Sequence, residues 1–280
     1  MIAIDRDRGA VDPYYAGRTY QSWLLKLFIA ARDQTLDEKK TKDKVFNTTR
    51  WKKAKVQLAI ESHGKCNFCE TDVLSNYYGD VEHFRPKNPY WWLAHFYDNY
   101  LFSCRFCNGK KSNRFETFGP ELSAPVIDPD IEDSDLADLA NTISPHPNKL
   151  DLIEPILQEH AEEGYALLNP YMLSQQEIEN LIAWNPVDET ERVYMVPRDT
   201  TESQAAVSSM ENFVDINRQD LAEARYRIYD NFRFYHKVYT DYGDAGALAG
   251  LLAGCEAKYP FAGMVRYFVY EIWGIDPQIV

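Results

Sequence analysis

The sequence predicts an α+β chain, mainly helical, with a small four-cysteine metal module embedded in a helical framework. Three observations predict it. Apolar and aromatic residues recur at three- and four-residue intervals over most of the chain. Strand-like alternation is confined to short runs. Four of the five cysteines fall in two Cys-x-x-Cys pairs between residues 66 and 107.

The 280 residues suffice to bury a core without disulfides. A net charge of -13 and a pI near 4.9 argue for a soluble protein that does not coat nucleic acid by bulk electrostatics, so a polyanion must meet a local basic patch or a partner. Charges stand in the first residues where a signal peptide would be apolar, and no window is long and apolar enough for a membrane span. The expected location is therefore cytoplasmic, without a membrane. In a reducing compartment the paired cysteines read as a metal site, with Cys255 left as a core thiol.

Taken in order, residues 1–60 form an N-terminal helical segment. "RTYQSWLLKLFIAARD" (18–33) places Trp23, Leu24, Leu27 and Phe28 on one face, and "WKKAKVQLAIESH" (51–63) is closed by Gly64. Residues 61–120 hold the cysteine module. Residues 121–168 are acidic and proline-bearing, a loop-rich insert with two short helical pieces. Residues 169–280 form a helical C-terminal region. Ser174 caps a helix over 174–182, "ERVYMVP" (191–197) alternates as a strand, and helices follow over 200–213, within 217–243 up to Gly243, and from about 245 to 260. No repeat interrupts this order.

Cys66, Cys69, Cys104 and Cys107 make C-x2-C-x34-C-x2-C. Four thiolates suit tetrahedral zinc with every position filled, which makes the zinc structural. Between the pairs lies "GDVEHFRPKNP", where Glu82 and His83 are adjacent at a strand end and diverge to opposite faces. A carboxylate holding a metal ion and an imidazole of near-neutral pKa activating water are the two groups that phosphodiester hydrolysis needs. Arg85 and Lys87 follow at once and can neutralise phosphates in an acidic chain.

"VEHFRPK", Asn99 in "YDNYLFSC" and Asn108 in "CRFCNGKK" together resemble the motif of the HNH endonucleases, in the variant with a four-cysteine zinc frame; 16 residues separate His83 from Asn99 and nine separate Asn99 from Asn108. The resemblance implies a ββα-metal fold around one divalent ion. It implies that His83 is the general base, that Glu82 is the acidic metal ligand in place of the usual aspartate, and that Asn99 holds the base-bearing loop. Asn108 then ligates the metal where histidine is more common. A carboxylate and an amide favour magnesium or manganese over a softer catalytic metal.

The run from "KCNFCE" to "CRFCNGKKSNRF", with "LLNP" at 167–170 and "DINRQDLAEARYR" at 215–227, is similar to the PtuB-type HNH nucleases of Septu antiphage and retron-associated defence systems. The similarity is strong over roughly 60–120, weaker to 227 and faint elsewhere. It implies an effector gated by an ABC/SMC-like (PtuA-type) ATPase partner, cutting DNA or, in some relatives, tRNA.

Other residues carry blander expectations. His95 is packed, His63 caps a helix end, and His146, His160 and His236 have no metal-spaced neighbours. Trp91 and Trp92 pack behind the zinc frame rather than stack on bases, and Asp80 is a solvated turn residue. Lys110 and Lys111 either contact phosphate or form a solvated helix face. The competing function is a zinc-ribbon scaffold for nucleic acid or protein, without catalysis.

Overall fold

In a computed structural model that describes residues 1–74, 79–164 and 166–277, helices dominate and the strands pair as two separate antiparallel hairpins. Helix α1 (Arg18–Arg32) buries Tyr20, Leu24, Leu27 and Phe28. Trp23, expected on that face, is half-buried beneath the guanidinium of Arg50, 3.2 Å from the ring centroid. A short helix the periodicity did not reveal, α2 (Lys39–Val45), buries only Val45. A 3₁₀ turn at Trp51–Ala54 leads into α3 (Lys55–Glu61). Gly64 stops that helix: its N–H donates to the Ala59 carbonyl at 2.7 Å from a φ of +73°, which glycine adopts without a Cβ penalty.

Strands β1 (Asp80–His83) and β2 (Tyr100–Ser103) pair with Glu82 opposite Leu101 and His83 opposite Tyr100. Gly79 precedes β1 at a φ of +57°, and a Cβ there would strike the Phe102 ring. Helix α4 (Arg105–Lys111) follows β2 and is capped by Cys104, whose Sγ accepts from the Cys107 N–H at 3.4 Å. Strands of four residues have little independent stability. The Trp51–Ala54 turn, α3 and α4 pack against β1, and α3 also packs on β2.

The acidic stretch expected as loop-rich holds two well-formed helices, α5 (Asp133–Ile143) of 11 residues and α6 (Leu150–Glu162) of 13. Leu136 and Ala140, four apart, turn one face of α5 inward, and α5 packs on α1. Helix α7 (Gln175–Leu181) begins with the expected Ser174 cap, completed as a capping box by Glu177. Strand β3 (Ile182–Val187) was hidden by Pro186 and pairs with the expected strand β4 (Arg192–Pro197). Helices α8 (Thr201–Val214), α9 (Gln219–Tyr242) and α10 (Ala245–Gly254) follow, with Gly243 ending α9 in the left-handed region. Helix α11 (Ala262–Arg266) runs into a π-helical turn at Tyr267–Ile272. Buried apolar side chains from Met1 to Ile275 join in one cluster, in which Cys255 is a packed thiol.

No helix among the described residues is long and apolar enough to cross a membrane.

Candidate functional site

The four expected cysteines converge. One ligand atom from each of Cys66, Cys69, Cys104 and Cys107 lies within 4.8 Å of the others, and Cys69 Sγ is 3.9 Å from Cys104 Sγ. Thiolates about 2.3 Å from a tetrahedral zinc stand about 3.8 Å apart, so the donor set fits that ion and could hold it. The turn carrying Cys66 and Cys69 is closed by Cys66 N–H to Thr71 O at 3.0 Å and Glu70 N–H to Cys66 O at 2.9 Å. Four thiolates around one Zn²⁺ leave two negative charges, and two arginines of the C-terminal region face them. Burial draws the Arg225 pKa down to about 10 while Cys69 pulls it up. For Arg218 burial is the largest single effect and lowers the pKa, but Cys69, Cys107, Asp220 and Cys104 together outweigh it, and the pKa is raised. Among the described residues no other group of three His, Cys, Asp or Glu side chains is placed to hold a metal.

A cleft of about 470 Å³ opens beside this frame, lined by Glu82, His83, Lys87 and Asn108 together with Trp51 and Lys52. Glu82 and His83 come from β1 and Asn108 from α4, so the cysteine frame and the hairpin bring three of the expected residues to one wall. Asp80 shares the face of Glu82 and lines the cleft as a half-buried strand residue, not as a solvated turn.

The imidazole of His83 is clamped edge-on between the rings of Trp51 and Tyr100, at centroid distances of 4.8 and 5.2 Å. Its Nε2 lies 3.0 Å from the Ala94 carbonyl oxygen, to which Tyr100 Oη also donates at 2.9 Å. A carbonyl accepts only, so Nε2 carries the proton and Nδ1 keeps the lone pair. Burial, aided by Lys87, lowers the His83 pKa to about 3. The pKa of His83 therefore lies below the near-neutral value expected from the sequence, because desolvation penalises the imidazolium.

Glu82 is not an open carboxylate. Its Oε1 accepts from Lys111 Nζ at 2.9 Å, and Lys111 donates again to the His83 carbonyl at 2.9 Å. Burial raises the Glu82 pKa and lowers that of Lys111, each partly offset by their mutual attraction. Lys111, expected at phosphate or on a solvated helix face, is fully buried because α4 turns it under β1. Arg85, also expected at phosphate, is buried: Nε donates to Glu163 Oε2 and Nη2 to His160 O, both at 2.7 Å. Neither cation faces the cleft. Lys87 does, 5.6 Å from the Trp51 ring centroid, while Lys110 lies outside it beside Asp215 at 3.3 Å.

Asn99 sits behind the cleft. Its Oδ1 accepts from Arg85 N–H at 2.7 Å, and its Nδ2 donates to Arg85 O and Leu93 O at 3.0 and 3.2 Å. The amide thereby ties the chain just after His83 to the turn just before Ala94.

Among the residues assigned blander parts, His95 is packed with Nε2 3.1 Å from Val45 O. His63 lies past the end of α3 at a φ of 52°, and burial, with Lys65 and Lys258 nearby, lowers its pKa. Trp91 packs edge-on to Phe28 of α1 at 5.3 Å and Trp92 against Tyr90 at 5.5 Å.

Sequence reasoning missed Trp51, Lys52, the Lys111–Glu82 pair and the Ala94 carbonyl. Only the first two left a signal, the basic run "RWKKAK" in an acidic chain.

Two curated proteins are similar to this chain. The Septu protein PtuB of Bacillus mycoides (strain KBAB4) is 30% identical over 112 residues, covering 31% of this chain and 38% of that protein. The Septu protein PtuB of Bacillus thuringiensis is 35% identical over 85 residues, covering 29% of this chain and 31% of that protein. No family model matches the chain, and no solved structure matches it. The chain thus resembles PtuB-type proteins over a part of its length that spans well under half of either relative.

Proposed function

We propose that this chain is a metal-dependent endonuclease of HNH type that hydrolyses phosphodiester bonds in nucleic acid, with DNA the leading substrate and tRNA the other. The observation that carries this is the orientation of His83, whose Nε2–H is tied to the Ala94 carbonyl so that Nδ1 is the basic atom, in a cleft shared with Glu82, Lys87 and Asn108.

His83 accepts the proton of the attacking water at Nδ1. Trp51, Tyr100 and Ala94 hold the ring in one tautomer and one plane, which favours catalysis because no reorganisation is needed. Burial keeps the imidazole neutral, so that Nδ1 retains the lone pair with which it accepts that proton. Lys87 supplies positive charge to the phosphate. Glu82 and Asn108 would hold magnesium or manganese, which supplies Lewis-acid stabilisation of the scissile phosphate and the leaving oxygen. The ββα arrangement of β1, β2 and α4 and the closed cysteine frame support this reading, with zinc as the structural ion.

The resemblance to PtuB supports a place in Septu-type antiphage defence, as the effector of a cytoplasmic complex gated by an ABC/SMC-like ATPase of PtuA type. The Lys111–Glu82 pair favours the second reading, a zinc-ribbon scaffold, because it occupies one oxygen of the expected metal ligand.

The two separate in one experiment. Plasmid, single-stranded DNA and total tRNA are incubated with the chain, alone and with the ATPase from its operon, in magnesium or manganese with and without EDTA. The nuclease reading expects cleavage that EDTA abolishes and that His83→Ala loses while zinc content stays intact. Cleavage that persists in His83→Ala, or that is absent under every condition, overturns it.

A further inference from the structure

The densest charge in the sequence lies outside the cysteine module. Residues 38–55, "EKKTKDKVFNTTRWKKAK", carry eight lysines and arginines against two acids in a chain whose net charge is -13. Lys39, Lys40, Lys42, Lys44, Lys52 and Lys53 form no salt bridge among the described residues. Most of them are exposed.

This segment walls two cavities. Thr48, Trp51 and Lys52 line the cleft of His83, while Lys42 and Phe46 line a second cavity, also of about 470 Å³. A second stretch does the same, with Pro86 and Lys87 in the first and Asn88 and Trp91 in the second. The cavities are therefore neighbours across a wall made by two short chain segments.

Their chemistry differs. The second cavity presents the half-buried rings of Phe46 and Trp91, whereas Trp51 and Trp92 are buried. Gln34, Asp37 and Asn88 add donors and acceptors around those rings. Asp37 opposes a phosphate in that space but can accept from the N–H edge of a base. Aromatic rings rimmed by hydrogen-bonding groups, beside exposed lysines, are what an unstacked nucleobase and its backbone require.

We propose that the second cavity, with Gln34, Asp37, Lys42, Phe46, Asn88 and Trp91, holds an unstacked nucleobase of a single-stranded segment whose phosphates follow the lysines of 38–55 into the cleft of His83. The inference rests on the nuclease reading for its substrate class, and it makes the preferred substrate single-stranded or locally melted rather than an intact duplex.

Binding of a labelled short oligothymidine is measured by fluorescence anisotropy, without added divalent metal and at low ionic strength, on the zinc-loaded full chain carrying His83→Ala so that turnover plays no part. Trp91→Ala is expected to weaken binding by about five- to a hundredfold, the range of one base–aromatic stack, and Trp91→Phe by much less. Because Trp91 also packs on Phe28, the same loss is sought without altering Trp91, by replacing the oligothymidine with an abasic strand of equal charge; the abasic strand is expected to be indifferent to Trp91→Ala. Equal binding of thymidine and abasic strands, equal losses for Trp91→Ala and Trp91→Phe, tighter binding of a blunt duplex, or no binding at all overturns the subsite. Cleavage by the unaltered chain without Trp91-dependent binding overturns the subsite alone, and Trp91-dependent binding without cleavage overturns the nuclease reading alone.

Discussion

Lys111 Nζ stands 2.9 Å from Glu82 Oε1 and 2.9 Å from the carbonyl oxygen of His83, so one buried ammonium at the end of α4 holds two consecutive residues of β1. Any divalent ion at Glu82 must share that carboxylate with Lys111. Removing the lysine leaves a buried carboxylate and a buried carbonyl unpaired, and Lys111→Met is expected to cost about 3–5 kcal/mol. Glu82→Gln with Lys111→Met should recover most of that stability without restoring cleavage. Urea unfolding of the two single variants and the double gives the coupling energy. Single variants that each cost under about 1 kcal/mol would show that the pair is not a strut between helix and strand.

Arg85 and Lys87 lie two residues apart and should fail in different ways. Glu163 collects Arg85 Nε at 2.7 Å, Tyr90 Oη at 2.7 Å and Leu122 N–H at 3.1 Å, so it joins the cysteine module to the end of α6. Arg85→Ala is expected to destabilise by about 3–5 kcal/mol, and Arg85→Lys to rescue little because an ammonium cannot serve Glu163 and His160 O as a fork does. Lys87→Ala should leave the melting temperature unchanged and lower the salt dependence of oligonucleotide affinity by about one phosphate contact. A salt slope that changes in Arg85→Ala and not in Lys87→Ala would reverse these assignments.

Elements with strong periodicity or explicit punctuation were legible in the sequence. α1 and α9 carry their apolar stripes, Gly64 and Gly243 mark stops, and the Ser174 cap announces α7. The cysteine spacing likewise brought Cys66, Cys69, Cys104 and Cys107 together without any structure. What was not legible depended on partners distant in the chain. Whether Arg85 meets phosphate or protein is decided by Glu163, 78 residues away, and whether Lys111 is solvated is decided by Glu82, 29 residues away. Burial of His83 by Trp51 and Tyr100 likewise set its basicity, which no local pattern encodes. Helix α2 went unseen because seven mostly polar residues bury one valine and leave almost no stripe.

Asn108 follows Cys107 directly, so the cysteine frame sets the position of one wall of the cleft although no cysteine lines it. One zinc per chain is expected by mass spectrometry. Cys107→Ser, or chelation under mild denaturant, is expected to lower the melting temperature sharply and abolish cleavage, because β1 and β2 are four residues each and α4 is seven. Metal analysis and far-ultraviolet circular dichroism on the same samples check this. A zinc-free chain that melts where the parent does would remove the structural role.

His83, His95 and His160 are all buried, and burial is the chief cause that lowers their pKa values to about 3, about 4 and about 3. Unfolded, each titrates near 6.5. Below that value and above the folded values, the unfolded chain binds more protons than the native one. Stability therefore rises with pH across the window, is complete above it, and is lost as pH falls toward 3, with each histidine contributing up to about 1.4 kcal/mol per pH unit. The melting temperature should be level above neutrality and fall steeply below about pH 6. His95→Gln keeps a donor for the Val45 carbonyl but removes one titrating group, and should flatten that fall by about a third if the three act alike. Thiolates also take up protons in acid, so zinc content is followed in parallel and the comparison restricted to the range where the metal stays bound. An unchanged slope in His95→Gln within that range would place the acid sensitivity elsewhere.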